Sequence, residues 1–112
     1  MLGRLLYTLA VVLHSAGTAH VVPPMATTLM EVVLSLRGNT DVLVRRGLAF
    51  SIVVVLDAVP PELLAATMPG ELREAQLWLE HLYEHDPDAE CRGLAIAGLV
   101  ALANIGKTLR GE

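Results

Sequence analysis

DPDAECRGLAIAGLVAL, residues 86–102, reads almost as a copy of TDVLVRRGLAFSIVVVL, residues 40–56. The tetrapeptide RGLA stands at 46–49 and again at 92–95, so the two stretches superpose at an offset of 46 residues. Each opens with a capping residue and an acid, Thr40 with Asp41 and Asp86 with Asp88, and places an arginine four residues after an acid, at Arg45 and Arg92. On a helix an aspartate pairs across one turn with an arginine four residues on, in the orientation the helix dipole favours. Intrahelical pairs Asp41–Arg45 and Asp88–Arg92 are therefore expected. Aligned on that spacing the offset is 47 rather than 46, and one residue rotates a helix by about 100°, so the matching face stays open. Either offset falls near the period of roughly 40–47 residues of HEAT and armadillo repeats, whose helix pairs stack side by side. The expected fold is an all-α HEAT/armadillo-like solenoid of about five helices.

Working outward, 112 residues suffice for one domain and not for two, and the 54% hydrophobic, 4% aromatic composition calls for an aliphatic core. Twelve acids against eight basic residues give a net charge of −4, which argues against a nucleic-acid surface. Arg45 and Arg46 are the only adjacent basic pair, too few for a phosphate track. The single Cys91 excludes an internal disulfide, suits a reducing compartment, and reads as a small buried residue on an apolar stripe.

In chain order, residues 2–15 carry Leu5, Leu6, Leu9, Val12 and Leu13 at helical spacing and read as a buried helix. Arg4, nine mostly apolar residues and then Gly17-Thr18-Ala19 also satisfy the local rule for a secretory signal, so a secreted helical protein is a competing reading. No uninterrupted apolar run approaches the ~20 residues of a membrane span, so no span is expected. Residues 16–20 read as a loop. A second helix runs from Pro24 to Leu36 and stops at Gly38-Asn39. A third, capped by Thr40 and reaching about Val59, is apolar nearly all round, which calls for neighbours on several sides. After Pro60-Pro61 a short turn of helix covers 62–67, ahead of Pro69-Gly70. The fourth helix, 70–85, buries Leu72, Ala75, Leu79 and Leu82, with Trp78 beside that stripe and an acidic outer side. Trp78, Glu80 and Glu84 are the expected partner-facing residues. The solvated face remains the simpler reading of the acids. The fifth helix takes Asp86 as cap and Pro87 at its first position, with a stripe of Cys91, Ala95, Gly98, Leu102, Ile105 and Leu109. Close helix packing is expected at Gly93, Gly98 and Gly106.

One motif bears on chemistry. His81-Leu82-Tyr83-Glu84-His85 matches H-x-x-E-H, in which two histidines one turn apart bind zinc and the glutamate activates water. A catalytic zinc needs a third protein ligand and a water-holding pocket, and nothing in the sequence brings His14 or His20 near His81. The competing reading as a small zinc hydrolase rests on these five residues alone. The pair reads more simply as histidines at a helix C-terminus, where positive charge is favoured. No G-x-S-x-G elbow, phosphate-binding glycine loop or set Cys-His pair is present, so the residues point to a small helical binding unit with no cofactor and no bound metal.

GRLLYTL (3–9), DVLVRRGL (41–48) and above all ELREAQLWLEHLYEHDPDAECRGLA (71–95) resemble the C-terminal region of the telomere length regulation protein family. The resemblance covers about residues 3–102 and is sharpest where REAQLWL is followed by DPDAECR and an aliphatic helix; the loop near 20 and the turn at 60 depart from it. It implies that residues 1–112 form one C-terminal HEAT-like domain belonging to a longer solenoid, and that residues 3–9 are an interior helix, with Met1 a truncated or alternative start. It implies a non-catalytic scaffold in the three-protein TTT co-chaperone complex. That complex helps the heat-shock chaperone machinery stabilise phosphatidylinositol-kinase-related protein kinases, which serve telomere maintenance, DNA-damage signalling and nutrient signalling in cytoplasm and nucleus. The expected partners are the other helical-repeat subunits directly and the kinases and chaperones indirectly, with no direct DNA contact. The family's acidic phosphorylated linker has no counterpart in this sequence, so chaperone recruitment is not expected of this segment. Asp41, Arg45, Arg46, Asp86, Asp88 and Arg92 are the expected structural signature of the repeat.

Overall fold

Proline and aspartate set the helix boundaries. The computed structural model describes residues 23–111, and five helices account for the regular structure among them: α1 (Pro23–Leu36), α2 (Val42–Ala58), α3 (Pro61–Thr67), α4 (Pro69–His85) and α5 (Ala89–Leu109). The expected helix at 2–15, the loop at 16–20, the signal reading, His14 and His20 all lie outside the described residues. Pro61 and Pro69 occupy the first helical positions of α3 and α4, where the missing N–H costs no hydrogen bond. The short turn of helix expected after Pro60 is present as the seven-residue α3.

α2 and α5 start on aspartates that differ from the expected caps. Asp41, not Thr40, caps α2: its backbone is extended and its carboxylate accepts from the Leu43 N–H at 2.8 Å. Asp88, not Asp86, caps α5, accepting from the Cys91 N–H at 2.9 Å, so Pro87 lies ahead of the helix. Asp86 is unavailable as a cap because its carboxylate accepts from Arg45 and from the Asp88 N–H. The caps at 41 and 88 select the 47-residue offset. At that offset the buried Val44, Leu48 and Ser51 of α2 match the buried Cys91, Ala95 and Gly98 of α5. The RGLA tetrapeptides are one residue out of register.

The helices form two layers. α2 and α5 lie side by side, α1 and α4 back them, and α3 bridges to α1, α4 and α5. α2 and α5 run parallel. Arg45 and Arg46 near the start of α2 reach the residues that open α5, and Val53 and Val54 in its second half share a groove with Ala101 and Ile105 of α5. This is the lateral stacking of a helical-repeat fold. Met30, Leu48, Ile52, Leu64, Met68 and Leu79 are among the largest fully buried side chains of a single aliphatic core. Trp78 belongs to that core.

Gly98 sits where α5 presses on α4, and a Cβ added there would lie 2.7 Å from Leu79 Cδ1. Close packing does not explain the other two helical glycines. Gly93 has open space around it, and Gly106 faces only the end of Arg110 on its own helix. Among the described residues one helix, Ala89–Leu109, is long and apolar enough by length and composition to cross a membrane, contrary to the expectation that no stretch would be, because its few polar residues interrupt the run without making it polar on average. It lies lengthwise along α2 and α4, which bury one side of it and leave Ile96, Val100 and Leu109 about half exposed.

Candidate functional site: the ionic seam and the apolar edge of the helical stack

Arg45 and Arg46 project from the first turn of α2, while Asp86, Asp88 and Glu90 surround the start of α5. The stacking brings them together. Arg45 Nε donates to Asp86 Oδ2 at 2.8 Å, and its Nη1 donates to the Thr40 carbonyl. Arg46 forms a two-pronged pair with Asp88, Nε to Oδ2 at 3.0 Å and Nη2 to Oδ1 at 2.8 Å, and its Nη1 lies 3.1 Å from Glu90. Arg92 donates through Nη1 to the Asp86 carbonyl at 2.8 Å. The expected Asp41–Arg45 and Asp88–Arg92 pairs within each helix do not form. Both aspartates are turned toward the backbone N–H groups they cap, and the arginines turn sideways to the neighbouring repeat or back to a carbonyl.

The electrostatics follow from this geometry. The Asp86 side chain is 3% exposed. Burial pushes its carboxyl up, but the Arg45 guanidinium and the Asp88 N–H outweigh burial and hold it below the ordinary value of 3.8. Arg46 and the Cys91 N–H likewise hold Asp88 well below the usual carboxylate range. Arg45 and Arg46 are raised in turn by the carboxylates they bind. Burial, with Asp88 and Asp86 nearby, pushes the Cys91 thiol up to about 12, so it stays protonated and unreactive. The Arg45–Asp86 and Arg46–Asp88 pairs are committed to joining two repeats, and their chemistry is structural.

The expected partner-facing trio divides. Glu80 and Glu84 are exposed on α4, but Trp78 is only 8% exposed and packs with Leu79 and Leu82. Its position was legible: 75, 78, 79 and 82 follow the i, i+3, i+4, i+7 pattern of a buried face. His81 and His85 are exposed on the other flank of α4, their ring centroids 5.0 Å apart, with Glu84 3.7 Å from His85 Nε2. They border a depression of about 560 Å³ with Arg37, Trp78 and Asp86. Among the described residues no group of three or more His, Cys, Asp or Glu side chains is placed to hold a metal ion, and two arginines at the rim oppose a cation. The zinc-hydrolase reading gains no support from this arrangement.

Sequence reasoning did not single out the outer edge. Tyr83 of α4 and Ile96, Leu99, Val100 and Ala103 of α5 line a shallow apolar trough of about 320 Å³, and Tyr83, Ile96 and Val100 are about half exposed. The signal was available in the apolar residues on the far side of α5 from Cys91 and Ala95. Comparison with known proteins bears on what such an edge is for. The chain is 42% identical over 105 residues, 94% of its length, to the telomere length regulation protein TEL2 homologue of Mus musculus. It is 39% identical over all of its 112 residues to that of Xenopus tropicalis, and 37% identical over 109 residues to that of Homo sapiens. The chain belongs to the telomere length regulation protein family. It spans 14% of the length of the Xenopus tropicalis relative and 12% of the mouse one, so the similarity concerns one segment of these family members. No family model and no solved structure matches the chain. The names of these relatives are not those of enzymes.

Proposed function

We propose that the chain is a non-catalytic, protein-binding repeat module acting in telomere length regulation, as the names of its relatives state for them. In this reading it is a scaffold element of the TTT co-chaperone complex, which stabilises phosphatidylinositol-kinase-related kinases in cytoplasm and nucleus, and it joins other helical-repeat subunits through its apolar flanks. One observation carries the reading. Among the described residues the two stacked repeats leave a 21-residue, largely aliphatic helix, α5, with an uncovered face, although Arg45 and Arg46 of the ionic seam beside it are paired with carboxylates. An apolar face of this kind is the mark of an interaction surface.

The test is affinity capture of the folded chain from cell extract, with the bound proteins identified by mass spectrometry. Recovery of the other scaffold subunits or of a phosphatidylinositol-kinase-related kinase is the expected result, and recovery of neither class would overturn the proposal. The chain alone is expected to be poorly soluble and to be rescued by a co-expressed helical-repeat partner.

A further inference from the structure

The seam in which α2 receives α5 has a counterpart on α5 itself that no described residue fills. At the 47-residue spacing of the two caps, Arg45, Ala49, Ile52 and Leu56 correspond to Arg92, Ile96, Leu99 and Ala103. Each set is spaced i, i+4, i+7, i+11 and so forms one stripe along its helix. On α2 the arginine of the stripe grips Asp86 in front of α5, and Ala49, Ile52 and Leu56 are buried beneath the stack. On α5 the matching stripe borders the Tyr83–Val100 trough, and Ile96 and Val100 are 46% and 54% exposed.

The arginines give an independent sign of the same vacancy. Arg45 donates through Nη1 to the carbonyl of the residue just before its helix cap, and through Nε and Nη2 to the Asp86 carboxylate. Arg92 makes a similar contact one residue further back, donating through Nη1 to the Asp86 carbonyl two residues ahead of the Asp88 cap. The second contact is missing, since no carboxylate among the described residues pairs with Arg92. An aliphatic stripe headed by a half-used guanidinium matches a helix with a small, aliphatic flank and an acid at its N-terminal approach.

We infer that the Arg92–Ile96–Leu99–Ala103 stripe of α5 docks a helix of a partner protein, laid parallel to α5, whose N-terminal end presents a carboxylate to Arg92 as Asp86 is presented to Arg45. The inference rests on the scaffold reading above and adds to it the face, the orientation and the charge of the docked helix.

A labelled synthetic peptide of residues 86–109 is the probe, because that sequence already fits the α2 version of this seam. Saturable binding to the full chain is expected, weakened at least about tenfold by Val100→Glu, which places a charge in the apolar trough. Arg92→Glu should weaken binding about fivefold, and a peptide carrying Asp86→Arg should restore it. Circular dichroism should show the Val100→Glu chain as folded as the parent, since that side chain touches solvent. Three results overturn the inference. They are no peptide binding, binding indifferent to Val100→Glu as expected if the peptide merely displaces the resident α5, and a concentration-dependent dimer dissolved by Val100→Glu, which would give the face to a second copy. Capture of the named scaffold partners that survives Val100→Glu would overturn this face and leave the scaffold reading standing. Peptide binding with the expected variant effects, but no capture of those partners by the parent chain, would do the reverse.

Discussion

Arg45 and Arg46 are adjacent and look alike, yet their surroundings set them apart. The Arg45 carboxylate partner is 3% exposed, whereas Arg46 and Glu90 lie toward solvent. Arg45→Ala leaves an uncompensated buried charge on Asp86, and a loss of about 3 kcal/mol is expected in chemical denaturation. Arg46→Ala should cost markedly less in the same assay, because water replaces the lost partner. Asp86 and Asp88 are held below their ordinary value of 3.8 in the folded chain, so their stabilisation is fully present above that pH and is lost as pH falls below it. Cys91 runs the other way. Its folded value of about 12 lies above the ordinary 9.0, so its contribution is complete below pH 9 and disappears as pH rises toward 12. Thermal midpoints measured against pH should therefore fall at both extremes, and Cys91→Ser should remove only the alkaline limb. The acid–base pattern was visible in the sequence and its partners were not. Spacing of i, i+4 describes one helix, and the choice between Asp41 and Asp86 for Arg45 depends on a neighbouring helix 41 residues further along.

The helices themselves were largely legible to within a residue or two, because the prolines near 60 and 69 and the capping stretches at 40–41 and 86–88 mark their starts locally, although the capping residue itself was misplaced in both stretches. Register was not. RGLA recurs in the letters at 46 residues while the caps and buried faces recur at 47, since what repeats in a solenoid is the buried face. The glycines of α5 were also ambiguous in the sequence, because a missing side chain looks the same whether a neighbour presses on it or not. Two substitutions separate the cases. Gly93→Ala should raise stability by about 0.5–1 kcal/mol through helix propensity alone, since its Cβ meets nothing. At Gly98 the same gain is opposed by overpacking against Leu79, which is fully buried and has little room to turn. Gly98→Ala should come out destabilising by about 1 kcal/mol, and Gly98→Val by more. Equal thermal midpoints for the two alanine variants would mean that α4 and α5 are less closely set than Leu79 indicates.

At the scale of the whole molecule, the two repeats make a stack with a sealed middle and, among the described residues, an open side. Composition points the same way, since the chain is 54% hydrophobic with few aromatic residues, and among the described residues Leu77, Ile96, Val100 and Leu109 stay about half exposed. Which side stays open depends on the stacking and was out of reach of periodicity. Placing charge on that side, as in Ile96→Glu with Val100→Glu, should increase soluble yield while leaving the thermal midpoint within about 0.5 kcal/mol equivalent of the parent. A fall of several degrees instead would show these positions to be internal. The ionic seam also has a temporal side. Asp86 emerges from a ribosome 41 residues after Arg45, an interval of about 2–8 s at ordinary elongation rates. Throughout that interval the nascent α2 has its arginines unsatisfied and its stripe bare, so each new polypeptide passes through a stage in which binding by a holdase competes with its own completion.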